Sequence, residues 1–472
     1  MALPDPRALF ARAADRAAAY REAMADPIGN PCSYADSLAM FDAPTPETGQ
    51  PAETVLDELV TAATPGLRSM TGPRFFGWVI GASHPMGVAA DFLTSAWGQN
   101  AANHFASPAA SAVETVAARW LLDVLDLPRH ASVGFVTGAT AANYVGLAAA
   151  RGAVLKQVGW DVNANGLFGA PPIHVVIGDD AHTTVFSALQ FLGLGHDRVI
   201  RVATDDQGRM RADAFARAVE GLSGPMIVAT QAGQLNTGAF DPIEEILPRA
   251  RALGAWVHVD GAFGLWARAN AATKPLAAGL DLADSWATDG HKWLQTPYDC
   301  GYAIVRDAEA HRDAMTIAAS YLPPVSEGER DPTHFVPELS RRARGFSTYA
   351  MIRHLGREGI AAMVGHHVAL ASDMARVLAA EPGVHVLNDV VLNQIIVRFG
   401  EDGDADRLTA ETIARIQADG ILFAGGARWR GHWVMRLSVI SAPTTEHDAR
   451  RTTDAIRAAW RQVRGANDLT SV

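Results

Sequence analysis

Cysteine is scarce: Cys32 and Cys300 are the two in 472 residues, far apart and outside any C-x-x-C spacing. A disulfide framework or a zinc site is therefore not expected, and no metal is assigned. Basic charge is not in excess either. The net charge is -11, so neither nucleic acid nor an anionic membrane surface is an expected partner. Long hydrophobic runs are missing as well: the apolar stretch around Phe92 is broken by Asp91, Gly98 and Asn100, and nothing approaches the roughly 20 uncharged apolar residues that span a bilayer. The N-terminus carries Arg7, Asp15, Arg16, Arg21 and Glu22 among alanines and has no apolar core of the secretory kind. These absences lead to an expected cytoplasmic location. Internal repeats and low-complexity segments are also lacking.

What is present is an ordinary globular balance, 49% hydrophobic and 19% charged, in a chain long enough for two or three packed regions. Helical spacing over residues 7–25 and again over 52–62 gives two stripes with little neighbouring sequence to bury them. Residues 1–85 are therefore expected to form a helical arm at a subunit interface, with packing on the chain's own large domain an equal alternative. From 86 to 330, short β-branched runs alternate with helical ones, predicting a mostly parallel sheet flanked by helices. Those runs are 133–137, 174–178, 199–203, 226–230, 256–260, 285–288 and 301–305. A long helical stretch from 340 to about 380, then apolar runs at 384–387, 392–399 and 434–440 with helical segments between and after them, predict a smaller α+β domain over 331–472. The polar stretch 326–331, set among prolines, reads as an exposed loop.

Unusual residues gather just after the strands, at the edge where open α/β sheets bind ligands. His291 and Lys292 follow the run at 285–288, and a lysine there is costly to bury unless it is neutralised, paired or covalently bonded. Asp260 ends another apolar strand and needs a cationic partner. A helix cap or a structural ion pair would be its commoner role; a protonated pyridine nitrogen is another. The turn at Gly138, with Ala139 and Thr140, offers backbone N–H groups and a helix N-terminus to a phosphate, without the lysine or glycine pattern of ATP or dinucleotide sites. His182 follows the strand ending at Gly178, and its imidazole can stack on an aromatic face or simply pack. A lysine, a pyridine-pairing acid, a phosphate turn and a stacking histidine are together the contacts required by pyridoxal 5'-phosphate.

The motifs Pro73-Arg-Phe-Phe76, Ser107-Pro108, the turn at Gly138, Asp179-Asp-Ala-His182, His258-Val-Asp260 and His291-Lys-Trp-Leu294 span almost the whole chain. In these it resembles the group II pyridoxal-phosphate-dependent decarboxylases, the family of aromatic-L-amino-acid, histidine and glutamate decarboxylases. The resemblance implies an α/β pyridoxal-phosphate-dependent transferase fold of the aspartate aminotransferase-like type, fold type I. It implies a carboxy-lyase acting on a small-molecule L-amino acid, assembled as a homodimer with the active site at the interface. By the same resemblance Lys292 binds the cofactor covalently, Asp260 pairs with the ring nitrogen, His182 stacks on the ring and Ala262 touches its other face. Ala139, Thr140 and His291 hold the phosphate, Tyr321 protonates the substrate Cα, and Arg436 meets the substrate α-carboxylate. An ordinary strand-edge ion pair is the alternative for Arg436.

The chain departs from the family in two places. Asp289-Gly290 stands where an Asn-Pro often precedes the His-Lys pair, putting a carboxylate in place of a phosphate-facing amide. A threonine-rich run is replaced by Thr230 to Gly238, within which Asn236 is the expected partner of the ring oxygen. The substrate pocket leaves two readings open: Trp78 and Phe105 suit an aromatic side chain, whereas His84, Asn100 and His104 suit a polar one. A carbon–carbon lyase or aldolase, an aminotransferase and a catalytically silent cofactor-binding regulator remain alternatives on the same scaffold.

Overall fold

A computed structural model describes residues 3–25, 30–316, 329–401 and 403–470. Among the described residues, five α-helices precede the first strand: α1 (Pro6–Glu22), α2 (Tyr34–Phe41), α3 (Ala52–Ala63), α4 (Pro85–Trp97) and α5 (Pro108–Val124). Helices α4 and α5 start where a side-chain cap, His84 or Ser107, is followed by proline in the first turn, where the missing N–H costs nothing.

The β-branched runs read from the sequence fold as β1 (Ser132–Val136), β2 (His174–Gly178), β3 (Ile200–Val202), β4 (Met226–Gln231), β5 (Trp256–Asp260), β6 (Ser285–Asp289) and β7 (Gly301–Val305). They form one sheet in the order β1-β7-β6-β5-β4-β2-β3. The pairs from β3 through β6 are parallel, while β7 runs antiparallel between β1 and β6. Alternate residues feed two cores, as the strand period requires: Val176, Val228 and Val257 point to one side, Val175, Ile177, Ile227 and Ala229 to the other. Both faces are covered, which explains why these strands read as nearly continuous apolar runs.

Between and after the strands lie α6 (Ala139–Lys156), α7 (Val162–Asn165), α8 (Thr183–Phe191), α9 (Ala212–Ala218), α10 (Ile243–Ala252) and α11 (Ala308–Met315). The chain then enters α12 (Gly345–Ala379), broken at Gly356, whose φ of +65° suits glycine. Strands β8 (Val384–Val386), β9 (Gln394–Phe399), β10 (Gly425–Trp429) and β11 (His432–Ser438) make an antiparallel sheet ordered β10-β11-β9-β8. Helices α12, α13 (Ala405–Asp419) and α14 (Glu446–Thr470) share with it a core of Leu370, Leu378, Val397, Phe399, Met435 and Trp460. The expected mostly parallel sheet and smaller α+β region are thus both present.

Register sets the working edge. Gln231 lies opposite Asp260 and Asp260 opposite Ala287, while Gly301 faces both Asp289 and Val136. A Cβ on Gly301 would fall 2.5 Å from the Cα of Gly138. Glycine at 301 therefore lets the β1–α6 turn lie directly over the end of β6.

Candidate active site

The chain has three lysines. Lys156 and Lys274 are exposed and paired with Asp313 and Asp126. Lys292 is different: it sits past β6 with its side chain 17% exposed and Nζ 3.1 Å from Asp289 Oδ2. Its backbone is clamped, because the Gly81 N–H donates to the His291 carbonyl at 3.2 Å and Gln295 Nε2 donates to the carbonyls of Lys292 (2.8 Å) and Ile440 (2.7 Å). A Cβ at Gly81 would lie 2.0 Å from the Lys292 carbonyl oxygen, so only glycine allows this approach.

Asp260 ends β5 at 5% exposure. Its Oδ1 accepts from the Ala262 N–H at 3.2 Å. Burial pushes its pKa up, against the opposing pull of His182 and Lys292. A buried carboxylate with a single backbone donor is under-satisfied, and it lies one strand from Asp289 and Lys292. Asn236 Oδ1, also buried, has no hydrogen-bond partner among the described residues. A buried carboxylate able to accept a ring-nitrogen proton and a buried polar atom left open are what pyridoxal phosphate needs from its protein, so the residues fit the cofactor.

Two histidines stand beside these charges. His182 caps α8: its Nδ1 accepts from the Thr184 N–H at 3.3 Å and lies 2.8 Å from Thr184 Oγ1. Because a backbone N–H can only donate, the neutral imidazole carries its proton on Nε2. Burial lowers the His182 pKa, with Asp260 opposing and Lys292 and Arg436 reinforcing the shift. His291 is held alike, Nδ1 accepting from the Cys300 N–H at 3.4 Å, and burial lowers its pKa too. Both rings thus offer an Nε2–H donor.

At the turn expected to meet the phosphate, Gly138 leads into α6. A Cβ there would come within 3.0 Å of His291 Cε1 and 3.3 Å of Asp289 Oδ1; the cradle depends on glycine. The Ala139 N–H already donates to Asp289 Oδ1 at 2.6 Å. Asp289 therefore bridges the α6 N-terminus, where a negative charge is favoured, to the Lys292 ammonium. Thr140 is exposed at this turn, and His291 Nε2 lies 3.7 Å from Asp289 Oδ2.

The residues expected around the substrate separate into two groups. The polar ones have other partners: His84 Nδ1 accepts from the Met86 N–H as the α4 cap, Asn100 Oδ1 accepts from the Arg341 N–H, and His104 contacts Asp331 through Nδ1 and its own N–H. The aromatic ones have open rings, Trp78 at 52% and Phe105 at 77% exposure. Trp78 has a φ of +52° and lies 5.4 Å from Phe423, which stacks on Phe75 at 4.9 Å. Phe423, in the loop before β10, carries no local sequence signal; a parallel bridge to Phe75 brings it there. Arg436, on β11, is 9% exposed, and its Nε and Nη2 are without partners among the described residues. Burial pulls its pKa down to about 10. Tyr321 lies outside the described residues.

Residues 35–399 match the pyridoxal-dependent decarboxylase conserved domain. The chain belongs to this family. It is a pyridoxal-phosphate-dependent enzyme that decarboxylates an amino acid. The aromatic-L-amino-acid decarboxylase of Bacillus atrophaeus is 25% identical over 430 residues, covering 89% of this chain and 87% of that protein. The L-2,4-diaminobutyrate decarboxylase of Rhizobium meliloti is 28% identical over 391 residues, covering 80% and 75%. Oryza sativa TDC, solved with PLP and tryptamine, superposes with a TM-score of 0.90 at 22% identity, covering 98% of this chain and 99% of that one. Fold type I is thereby established for this decarboxylase. No helix among its described residues is long and apolar enough to cross a membrane.

Proposed function

We propose that this decarboxylase acts on an L-amino acid with an aromatic side chain, releasing carbon dioxide and the amine. The observation that carries the reading is the division of the residues expected around the substrate: His84, Asn100 and His104 are hydrogen-bonded to other groups, while Trp78 and Phe105 present exposed rings. The Bacillus atrophaeus relative, named for aromatic substrates, supports it.

Pyridoxal phosphate, when bound, supplies the electron sink that draws charge from the substrate Cα. Lys292 would hold it covalently, Asp260 would keep its ring nitrogen protonated, and Asn236 would face its ring oxygen. Ala262 and His182 would bracket the ring, and Thr140, His291 and the Ala139 end of α6 would face the phosphate. Asp289 Oδ2, 3.1 Å from Nζ, positions Lys292 before loading. Arg436, a buried cation with open donors, binds the substrate α-carboxylate and orients the bond that breaks. Tyr321 donates the proton that replaces carbon dioxide at Cα.

Purified protein supplied with common L-amino acids should form amine and carbon dioxide most efficiently from aromatic ones. Arg436→Gln should raise KM roughly 10- to 100-fold, the value of a charged hydrogen bond. A preference for a small or charged side chain would overturn the aromatic reading. Tyr321→Phe should slow amine formation and divert substrate, with dissolved oxygen as oxidant, to aldehyde, ammonia and hydrogen peroxide. Amine made at the undiminished rate without aldehyde would place the proton donor elsewhere.

We also propose a cytoplasmic homodimer, with residues 1–85 as the interface arm, 86–330 as the cofactor domain and 331–472 as the small domain. Helix α1 buries no residue completely, and Phe10, Leu38, Phe41 and Leu59 stay exposed on the arm, an apolar surface that a second subunit would cover. Sedimentation of an active monomer would contradict this.

A further inference from the structure

A chain of hydrogen bonds runs from the core of the large domain to His182. Trp256 Nε1 donates to Ser285 Oγ at 2.8 Å, and Ser285 Oγ meets His258 Nδ1 at 2.8 Å. His258 Nε2 meets Asn143 Oδ1 at 2.9 Å. Asn143 Nδ2 then donates to Thr184 Oγ1 at 3.4 Å, and Thr184 Oγ1 meets His182 Nδ1 at 2.8 Å.

The direction of every link follows from its ends. The Asn143 amide oxygen can only accept, so His258 Nε2 carries the proton; Nδ1 of the neutral ring then accepts the Ser285 hydroxyl proton, while Ser285 Oγ accepts the indole N–H of Trp256. His258 has no route to a second proton, since complete burial holds its pKa down at about 3. With Oδ1 of Asn143 accepting, its amide group faces Thr184 Oγ1 and fills that oxygen's acceptor side. The Thr184 hydroxyl proton is thereby directed at His182 Nδ1, which also receives the Thr184 N–H at 3.3 Å. The interior links are rigid: Asn143, His258 and Ser285 are completely buried. A Cβ at Gly146 would lie 2.7 Å from His258 Cε1, so glycine lets α6 close on the relay.

We propose that Thr184 is a positioning residue, whose hydroxyl, aimed by Asn143 and the buried His258 relay, holds His182 in one orientation as its Nε2–H tautomer. The consequence for catalysis rests on the reading that His182 meets the cofactor ring. A ring free to exchange tautomers would present a lone pair where the fixed one presents a donor. The charges that act on His182 from other elements are Asp260 on β5, Asp289 and Lys292 at the end of β6, and Arg436 on β11; none contacts Nδ1. Thr184 alone controls that nitrogen.

The test uses holoenzyme labelled with 15N-histidine at neutral pH, the His182 signals being assigned by their loss in His182→Asn. Wild type and Thr184→Ser should show an unprotonated Nδ1 and a protonated Nε2. Thr184→Val keeps side-chain shape near the start of α8 but leaves Nδ1 only the longer backbone N–H contact at 3.3 Å in place of the 2.8 Å hydroxyl; it should show a measurable Nδ1–H fraction beside the Nε2–H form and lose on the order of tenfold in kcat, with little change in KM. Thr184→Ser should restore both. A Thr184→Val spectrum identical to wild type, or a serine variant that fails to restore it, overturns the proposal. His182 nitrogen shifts that are the same with and without pyridoxal phosphate overturn instead the placement of His182 at the cofactor. The two failures are therefore separable.

Discussion

Replacing Lys292 by alanine will yield a folded protein that cannot hold pyridoxal phosphate covalently and has lost turnover by on the order of 10⁴-fold or more, the scale on which removal of a covalent-catalysis residue acts. The expectation rests on position rather than on the residue type. Of three lysines, two are exposed partners of surface acids, and only Lys292 stands at the sheet edge beside Asp260, His182 and Arg436. Borohydride treatment of the wild-type holoenzyme should fix the cofactor to a single peptide containing Lys292. The alanine variant should give no labelled peptide and no visible absorbance from bound cofactor beyond what dialysis removes. Lys292→Arg separates chemistry from stability: it keeps a cation near Asp289 but not an amine able to form the bond, so it should lose activity equally while melting nearer to wild type. A label found on Lys156 or Lys274 would refute the assignment.

The sequence was most readable where local pattern and chemistry coincide. Nearly continuous apolar runs ending in Asp260 or preceding His291 and Lys292 specify strands and put those residues at the edge where open α/β sheets bind ligands. Asp289 was less readable. Its bond to the Ala139 N–H depends on β7 inserting antiparallel between β1 and β6, and strand order is not written in any local run. The residues expected around the substrate show the same limit. His84, Asn100 and His104 sit among aromatics in sequence, yet His104 bonds Asp331 and Asn100 bonds Arg341, each more than 200 positions away. Strand β10 begins with two glycines and has no clean alternation, so nothing marked it or Phe423 just before it. Thr184 also stayed hidden: a threonine two residues after a histidine is ordinary helix-start chemistry, and only the packing of α6 against β5 and β6 connects it to His258.

Substituting Asp260 by asparagine should move stability and catalysis in opposite directions. In the protein without cofactor, burial raises the Asp260 pKa more than His182 and Lys292 lower it. A carboxyl whose folded pKa lies above its unfolded value binds more protons when folded. Its ionisation therefore costs stability that is lost progressively as pH rises from the ordinary carboxylate range through the raised folded value. Asparagine keeps the shape and can retain the Ala262 N–H bond through its carbonyl oxygen, but carries no charge to bury. At neutral pH the cofactor-free variant should thus melt at or above the wild-type temperature, and its stability should fall less as pH is raised. Pyridoxal phosphate should reverse the order. The ionised acid gains a cationic partner from a protonated ring nitrogen, whereas an amide can only donate to an unprotonated one, so the variant should gain less in melting temperature from the cofactor. Without the charge that keeps the ring nitrogen protonated, turnover should drop by on the order of 10²- to 10³-fold, the scale of losing one preorganised electrostatic contact. Residual cofactor binding through Lys292 should persist. A variant that turns over at the wild-type rate, or one that is destabilised without cofactor and stabilised normally by it, would show that Asp260 is a structural acid and not the partner of the ring nitrogen.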